Sequence, residues 1–384
     1  MALMIPRERL RMALHKREPD RVPIDFGQDF HNGINEVAYK NLLRYLHIEA
    51  PETIPVYDLM QRLAVVDERV LKRFRVDTRY IMANSSDRWT LKIEDDGSYG
   101  DEWGVYRKRC GYYCENVGAP LAGKSRAEVV SFPFPDPSEP SRFRGLREKA
   151  KNLYDSTDYA LMAGQAASLY YFSAELRGFE DYMSDLADDP ELVALLVDRV
   201  LEWMMEFTSH YLDEIGDFIE GWWMGDDWGM QTGPIMSPGM FRTIFKPRYR
   251  RLIDLVKSKT KGKVCLHTCG ASYWILQDLV DVGVDVVHPL QPTAAGNGDP
   301  LRIKREFGDR LSFYSNIANT TILPHGKPQE VAAEVRRKIA ALAPGGGYVF
   351  SGGHNIQADV PPENIVALFD TAYEVGKYPL EVHS

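Results

Sequence analysis

The segment VCLHTCG, residues 264–270, is a short apolar run that ends in a polar pair and a glycine. A run of this kind, bounded by a turn residue, is typical of a buried strand. Other segments of the chain have the same form: VPIDFG (22–27), VDTRYIMA (76–83), YALMAG (159–164), DFIEGWWMG (217–225), VDVVHPLQ (284–291), LSFYSNI (311–317) and GYVFSGGH (347–354). With KVCLHTCG (263–270), they predict eight strands.

Helical patterns separate most of these runs. Apolar residues recur at helical spacing over 184–216, 237–259, 327–342 and 361–376. Strands that alternate with helices, here at intervals of about 25–45 residues in the second half, predict βα units. Eight such units predict an α/β fold of the (β/α)₈ TIM-barrel type. An open doubly wound sheet is the alternative, but no G-x-G-x-x-G follows the first strand, and the GGG at 345–347 precedes a strand.

We interpret residues 1–384 as one barrel domain. Residues 94–120 are rich in charge and glycine, which predicts an inserted hairpin or lid at the barrel mouth. The proline-rich stretch at 132–140 is short and is interpreted as a connector within the domain.

Composition excludes several classes of protein. With 46 Lys and Arg against 55 Asp and Glu, the net charge is −9, which disfavours a nucleic-acid binder. No apolar stretch has the length of a membrane span, and the charged N-terminal residues do not resemble a signal peptide. Four cysteines in so long a chain do not form a disulfide scaffold, so we expect a cytoplasmic protein in which Cys110 and Cys114 are free thiols.

Polar side chains collect where the predicted strands end. In a (β/α)₈ barrel the carboxyl ends of the strands carry the active site. The residues at these ends are Gln28, Asp29, Gln165, Asp226, Asp227, His267, Cys269, Gln291, Asn316 and His354. Of these we take Gln28, Gln165 and Gln291, together with Trp223, as candidates for binding a substrate. Trp222, Trp223 and Trp228 suit a flat or aromatic ligand, or they pack in the core.

His267 and Cys269 are the first candidates for metal binding. Side chains at i and i+2 of a strand point to one face, so the two converge if the strand persists. His354, at the end of the last strand, is a third candidate, and a His/Cys/His set with an open fourth position has the layout of catalytic zinc. Alternatively, His267 bonds internally and Cys269 packs. Cys265 is interpreted as a core residue, and the isolated His31, His288 and His325 as structural or exposed.

Asp226 and Asp227 are adjacent at the end of another strand. Neighbouring carboxylates repel each other, so one of them can hold a raised pKa and act as a catalytic acid or base. One can instead anchor a metal or a cationic group of a substrate. Aspartate is also favoured at turns and helix caps, which leaves a structural role open.

The chain resembles the uroporphyrinogen decarboxylase superfamily, which also includes cobalamin-linked methyltransferases. The resemblance implies a (β/α)₈ barrel. The stretches that carry it, in order, are RERLRMALHKREPDRVPIDFG, LRGFEDYMSDLADDPELVALLVDRV, GDDWGMQTGPIMSPGMFRTIFKPRYRRLID, HTCG and GGGYVFSGGHNIQADVPPENI.

The two branches of the superfamily imply different chemistry. Its decarboxylases carry an arginine-rich RQAGR-like loop after the first strand, whereas the corresponding GQDFHNGINEVAY has no arginine. Its methyltransferases bind zinc through a His-x-Cys motif and a later cysteine in an SPGCG-like turn. His267 and Cys269 match the first two positions, and in SGGHN the later cysteine is replaced by His354, which also falls where the decarboxylases have an active-site histidine.

The resemblance therefore implies a zinc-dependent methyltransferase. The methyl group would move between a small methylated substrate and a corrinoid. The Trp and Tyr residues near the strand ends make a methoxylated aromatic compound one candidate for that substrate. No cobalamin-binding D-x-H-x-x-G pattern is present, so the corrinoid would be carried by a partner protein. A lyase acting on a small carboxylate and a non-catalytic binding protein are the alternatives.

Overall fold

A computed structural model describes residues 4–27, 29–165 and 168–380. Its strands are short. In chain order they are β1 (Val56–Asp58), β2 (Leu63–Ala64), β3 (Thr78–Tyr80), β4 (Tyr99–Gly100), β5 (Tyr106–Cys110), β6 (Tyr113–Gly118), β7 (Ala160–Gly164), β8 (Gly221–Gly225), β9 (Lys263–His267), β10 (Val286–His288), β11 (Ser312–Tyr314) and β12 (Tyr348–Val349).

The helices surround the central strands. They are α1 (Pro6–Leu14), α2 (Glu36–Tyr45), α3 (Glu68–Arg73), α4 (Arg126–Ser131), α5 (Leu146–Ser156), α6 (Tyr170–Arg177), α7 (Phe179–Asp188), α8 (Pro190–Ile215), α9 (Pro238–Met240), α10 (Lys246–Lys259), α11 (Leu276–Val282), α12 (Pro300–Phe307), α13 (Ile322–His325), α14 (Pro328–Leu342) and α15 (Pro362–Val375). A π-helical turn, Phe241–Phe245, joins α9 to α10, and 3₁₀ turns cover Pro140–Phe143 and Tyr273–Ile275. Among these helices none combines the length and the apolar composition that crossing a bilayer requires.

Seven parallel strands form one curled sheet in the order β12–β11–β10–β9–β8–β7–β3. The segment 22–27 closes it. The N–H of Asp25 donates to the carbonyl of Phe350 beyond β12, and the N–H of Asp77 beside β3 donates to the carbonyl of Ile24, each over 2.8 Å. The predicted (β/α)₈ barrel is thereby confirmed. The first predicted strand is an extended segment instead of a regular strand, because the N–H of Ile24 bonds to the Asp77 carboxylate.

Side chains that alternate along the strands fill the barrel interior. This inner cluster contains Tyr80, Met162, Trp223, Cys265, Val286, Tyr314 and Val349, all buried. The side chains on the other face of the strands pack against the helices in a larger core. Strands buried on both faces are expected to read as continuous apolar runs, as the sequence shows.

One helical pattern covers two helices. The apolar periodicity predicts a single helix over 184–216, but α7 ends at Asp188 and α8 begins at Pro190. Proline lacks the N–H that a continuous helix needs and is favoured in a first turn. The Asp189 carboxylate caps the new helix by accepting from the N–H of Leu192 over 3.1 Å.

The insertion predicted at 94–120 forms a three-stranded antiparallel sheet, β4–β5–β6, outside the barrel. Gly111, with a φ of +61°, lies in the tight turn between β5 and β6. The sheet is attached to the barrel mouth by the ion pair between Arg107 and Glu175 of α6, and by the bond from the Cys114 N–H to the Met60 carbonyl, 2.8 Å long. Both Cys110 and Cys114 are free thiols.

Candidate metal centre and active site

A cavity of about 1310 Å³ opens at the carboxyl ends of the barrel strands. The inserted sheet forms part of its wall, since β6 residues 113–118 line it. Among the polar residues of the predicted site, the cavity is lined by Asp226, Asp227, His267, Cys269, Gln291 and His354. Gln28 lies outside the described residues.

His267, Cys269 and His354 converge at the floor of this cavity. One donor atom from each lies within 4.8 Å of the other two. His267 is the last residue of β9, Cys269 follows it in the loop, and His354 lies in the loop after β12. Nε2 of His267 is 3.2 Å from Sγ of Cys269, and the His267 and His354 rings are 5.1 Å apart between centroids.

The spacing and chemistry of these donors fit a zinc ion. With Zn–N near ~2.0–2.1 Å and Zn–S near ~2.3 Å, a tetrahedral edge from nitrogen to sulfur is roughly 3.5 Å, close to the observed 3.2 Å. Imidazole nitrogen and thiolate sulfur are both ordinary zinc ligands. Three protein ligands facing a cavity leave room for a fourth from solvent or substrate.

Burial governs the protonation of the three donors. It lowers the pKa of His267 well below the usual value and also lowers that of His354, so both imidazoles are neutral. Burial, reinforced by the Asp227 carboxylate, raises the pKa of the Cys269 thiol well above its usual value. In the absence of a cation the thiol therefore keeps its proton, and a metal ion would have to displace it.

Asp226 is a buried anchor for α6. Its Oδ2 accepts from the N–H of Tyr170 and the hydroxyl of Tyr249, and its Oδ1 accepts from the N–H of Tyr171, over 2.6–2.7 Å. Burial raises its pKa to about 7, and repulsion from Asp227 is a smaller cause. With both oxygens engaged at the start of a helix, Asp226 has the contacts of a structural residue.

Asp227 has a different environment. Its side chain is 40% exposed to the cavity, and its Oδ1 lies 3.7 Å from Nε2 of His267. The same oxygen accepts from the N–H of Cys269 over 2.9 Å. Of the two adjacent carboxylates, Asp227 is thus the one that can contact a substrate beside the three donors.

The candidates for substrate binding separate in the structure. Gln291 lines the cavity, and its Oε1 accepts from the N–H of Gly270 over 3.0 Å. Gln165 instead contacts α8, accepting from the hydroxyl of Thr208 over 3.1 Å. Trp223 packs in the barrel interior against Tyr314, with centroids 5.0 Å apart. This geometry favours core packing over ligand contact for Trp223, and Gln165 is not among the described residues that line the cavity.

The other two tryptophans also pack in the core. Trp222 contacts Tyr211 of α8, and Trp228 lies among Tyr170, Phe241 and Phe245, with ring centroids 4.8–5.4 Å apart. Both are buried. The aromatic ligand that the three tryptophans suggested therefore has no support from their positions.

Two histidines interpreted as isolated lie against His267. The His31 ring stacks on it at a centroid distance of 4.4 Å and an angle of 27°. Nδ1 of His288 is 2.8 Å from Nδ1 of His267. The sequence contains a signal for each of them. His288 occupies the same position in its strand as His267 does in the neighbouring strand. For His31 the signal is the glycine at position 225 at the end of β8, because a Cβ there would lie 2.5 Å from Nε2 of His31. His325 is exposed, as interpreted.

The closed barrel and the polar cluster at the carboxyl ends of its strands define a (β/α)₈-barrel protein with its candidate site in the usual place for this fold. The profile of the uroporphyrinogen decarboxylase (URO-D) family matches residues 116–375. The chain belongs to the uroporphyrinogen decarboxylase family.

Sequence relatives agree with this assignment, and a solved structure shares the fold. The chain is 25% identical over 284 residues to the uroporphyrinogen decarboxylase of Pseudoalteromonas atlantica, covering 71% of this chain and 75% of that one. It is 25% identical over 262 residues to that of Alkalilimnicola ehrlichii, covering 66% and 67%. Its fold is similar to that of a methyltransferase from Methanosarcina mazei, with a TM-score of 0.66, 19% identity, and coverage of 97% of this chain and 99% of that one.

Proposed function

We propose that this protein is a zinc-dependent methyltransferase that moves a methyl group between a small methylated substrate and a corrinoid carried by a partner protein. The observation that carries the proposal is the convergence of His267, Cys269 and His354 within 4.8 Å at the floor of the cavity. Family membership supports an enzyme of this superfamily but leaves the reaction open, since the sequence relatives are decarboxylases and the structural relative is a methyltransferase.

The charge of the cavity argues against porphyrinogen decarboxylation. Of the described residues that line it, seven are acidic: Asp58, Glu115, Glu175, Glu180, Asp181, Asp226 and Asp227. Arg107 is the one arginine among the described lining residues, and it is already paired with Glu175. A substrate with several carboxylates would meet like charge without the cations needed to compensate it. A neutral or cationic small molecule suits this wall better.

The residues at the floor have distinct roles in this proposal. A zinc ion held by the three donors would polarise the heteroatom that releases the methyl group, or would deprotonate a thiol that receives it. Asp227, beside the donors and exposed to the cavity, would orient the substrate or exchange a proton with it. Gln291 would contact the substrate while its Oε1 holds the loop of Gly270 in place.

The cavity is larger than a small substrate requires. A volume of about 1310 Å³ exceeds the ~300–1,000 Å³ usual for a small-molecule site. The excess is consistent with a second reactant that enters from the mouth, as a corrinoid presented by another protein would. The inserted sheet at the mouth would then contact that reactant.

A lyase acting on a small carboxylate is the second candidate. The curated relatives to which the chain is similar are uroporphyrinogen decarboxylases, and a small substrate with one carboxylate would need fewer compensating cations than a porphyrinogen does. Such a lyase would not need zinc, whereas the proposed methyltransferase would. The metal content and the metal dependence of activity therefore separate the two functions.

The deciding experiment measures zinc and methyl transfer together. Protein purified without chelators should contain about one zinc per chain. Methylcobalamin with a panel of small thiols, and cob(I)alamin with methylated donors such as methoxylated aromatics, should show turnover by cobalamin absorbance that a chelator abolishes. Absence of stoichiometric zinc, or turnover of a small carboxylic acid that is insensitive to chelator, would favour the lyase.

A further inference from the structure

We infer that His288 is a positioning residue for the metal centre: its Nδ1 accepts a hydrogen bond from Nδ1–H of His267 and thereby directs Nε2 of His267 to the metal. The inference rests on the zinc site of the proposed function and adds a residue outside the donor set. It starts from two neighbouring strands in register. β9 and β10 pair in parallel with His267 opposite His288, so both imidazoles lie side by side at one level of the barrel.

The distance between the two Nδ1 atoms shows that they share a hydrogen bond. Nδ1 of His267 is 2.8 Å from Nδ1 of His288. Two nitrogens this close need one proton between them, because two bare lone pairs or two N–H groups would repel. One of the two Nδ1 atoms is therefore the donor and the other the acceptor.

The donor set determines which ring donates. Nε2 of His267 faces Sγ of Cys269 at 3.2 Å and is the nitrogen on the side of the cavity donors. A metal needs the lone pair of that nitrogen, so the proton of the neutral His267 ring has to lie on Nδ1. Nδ1 of His288 is then bare, and its own proton is on Nε2.

Nothing else in the described structure sets the tautomer of His288. Its Nε2 is buried and has no hydrogen-bond partner among the described residues. The ring is held by packing, with Trp223 and Tyr314 at centroid distances of 5.5 and 6.2 Å in edge-on contact. The ring of His288 is therefore fixed in space by packing. Among the described contacts, only the one with His267 determines which nitrogen of His288 carries the proton.

His267 is thus restrained on two sides. His31 stacks on its face at 4.4 Å, and His288 holds its edge. Stacking fixes the plane of the ring but is compatible with a 180° rotation about the Cβ–Cγ bond, which would place Cε1 where Nε2 lies and Cδ2 where Nδ1 lies. The hydrogen bond to His288 removes this freedom. Outer partners of this kind commonly change metal affinity by about 10–100-fold.

A pair of isosteric substitutions isolates the hydrogen bond. Asparagine and leucine have the same branched shape, and asparagine Oδ1 occupies the place of histidine Nδ1. We expect His288→Leu to weaken zinc binding by roughly 10–100-fold, whereas His288→Asn, which keeps an acceptor, should stay within about threefold of the wild type. Zinc dissociation constants are measured by competition with a chromophoric chelator, after circular dichroism has verified that each variant is folded.

The outcomes separate this inference from the proposed function. If the wild type binds no zinc, both fail. If the wild type binds zinc and the two variants weaken it equally, or neither does, His288 only fills space and this inference alone fails. The wild type provides a measurement that does not depend on folding of the variants. ¹⁵N-histidine spectra of the zinc-loaded protein should show His288 protonated on Nε2, and protonation on Nδ1 would overturn the inference.

Discussion

The N–H of Cys269 donates a hydrogen bond to Oδ1 of Asp227 over 2.9 Å. This bond joins the loop after β8 to the loop after β9, so the cavity carboxylate is linked to the backbone that carries the thiol donor. The same oxygen is 3.7 Å from Nε2 of His267. Asp227 therefore combines a structural contact through its acceptor oxygen with a negative charge at the donor set, and the two contributions can be separated by substitution.

Asp227→Asn should retain the acceptor and remove the charge. We expect the variant to keep its zinc and to lose roughly 10²–10⁴-fold in turnover, the usual contribution of a proton-transfer group. Asp227→Ala removes the acceptor as well and should also weaken zinc binding. Metal analysis and the cobalamin assay test both variants. Full turnover by the asparagine variant would eliminate Asp227 as an acid or base.

Asp226→Ala should destabilise the fold. The substitution leaves the buried N–H groups of Tyr170 and Tyr171 and the hydroxyl of Tyr249 without their acceptor. Loss of a helix cap and of buried hydrogen bonds together should lower the free energy of unfolding by roughly 2–4 kcal/mol. Denaturant titration measures this change. A decrease smaller than about 1 kcal/mol, the typical effect of an ordinary point substitution, would contradict the anchoring role.

Two buried aspartates, Asp25 and Asp226, should each make a contribution to stability that is lost as the pH rises from about 4 to 7. Burial raises the pKa of Asp25 and of Asp226 to about 7 in the folded protein, whereas an unfolded aspartate titrates near ~3.9. Between these values the folded state binds the proton more tightly, so this contribution to stability is complete below pH ~3.9 and lost as pH passes 7. Asp25→Asn and Asp226→Asn remove this contribution, so the stability of each variant relative to the wild type should rise between pH 5 and 8. If the free energy of unfolding of both variants depends on pH as that of the wild type does, the raised pKa values of Asp25 and Asp226 are wrong.

The barrel was predictable because its strands are buried on both faces. Runs such as 160–163 and 264–266 are apolar throughout. Strand parity predicted that His267 and Cys269 converge, and they lie 3.2 Å apart although β9 ends at His267 and Cys269 follows in the loop. The last donor was predictable only because barrel closure returns the end of the chain to the same mouth. The limits of the strands were less predictable, since β12 covers two residues where the pattern predicted eight.

Other features depend on contacts that no local pattern encodes. The role of Asp226 is set by Tyr170 and Tyr249, which are distant in the sequence, and its pKa is raised by burial more than by the repulsion from Asp227 that adjacency predicts. His31 and His288 seemed isolated because their partner lies on another element. Register between neighbouring parallel strands, compared run by run, would have paired His288 with His267.

The inserted sheet should become easier to cleave when its attachment is removed. Arg107 is buried against Glu175, whereas its neighbour Lys108 forms an exposed pair with Asp96 at 3.1 Å. Arg107→Met should therefore speed cleavage by chymotrypsin at the exposed Tyr112 several-fold, because breaking a buried pair leaves a carboxylate uncompensated. Lys108→Met on the same strand is the control and should have little effect. If a reactant closes the sheet over the mouth, its addition should slow cleavage, and equal rates with and without it would count against a lid.

Uroporphyrinogen should not be decarboxylated. The seven acidic residues of the cavity wall and the pairing of Arg107 leave no free cation among the described lining residues for a substrate with many carboxylates. Product analysis by chromatography, with an authentic uroporphyrinogen decarboxylase run in parallel, tests this expectation. Turnover at a rate comparable to that of the control enzyme would show that the protein is a uroporphyrinogen decarboxylase and that the prediction is wrong.

Cys269→Ser should remove zinc and methyl transfer together. A hydroxyl is a poor replacement for a thiolate, because it does not lose its proton readily at neutral pH and binds zinc weakly as a neutral group. The zinc content should fall from about one per chain towards zero. The melting temperature of the metal-free variant should match that of the metal-free wild type, since Cys269 lies in a loop after β9 and the core does not depend on it. Cys110→Ser, at an exposed thiol on the inserted sheet, is the matched control and should keep its zinc.

Substitution of cobalt for zinc adds a direct view of the donors, because a sulfur-to-cobalt charge-transfer band should be present in the control and absent in Cys269→Ser. Retention of stoichiometric zinc by Cys269→Ser would show that the thiol is not a ligand, and the donor set proposed for this barrel would be wrong.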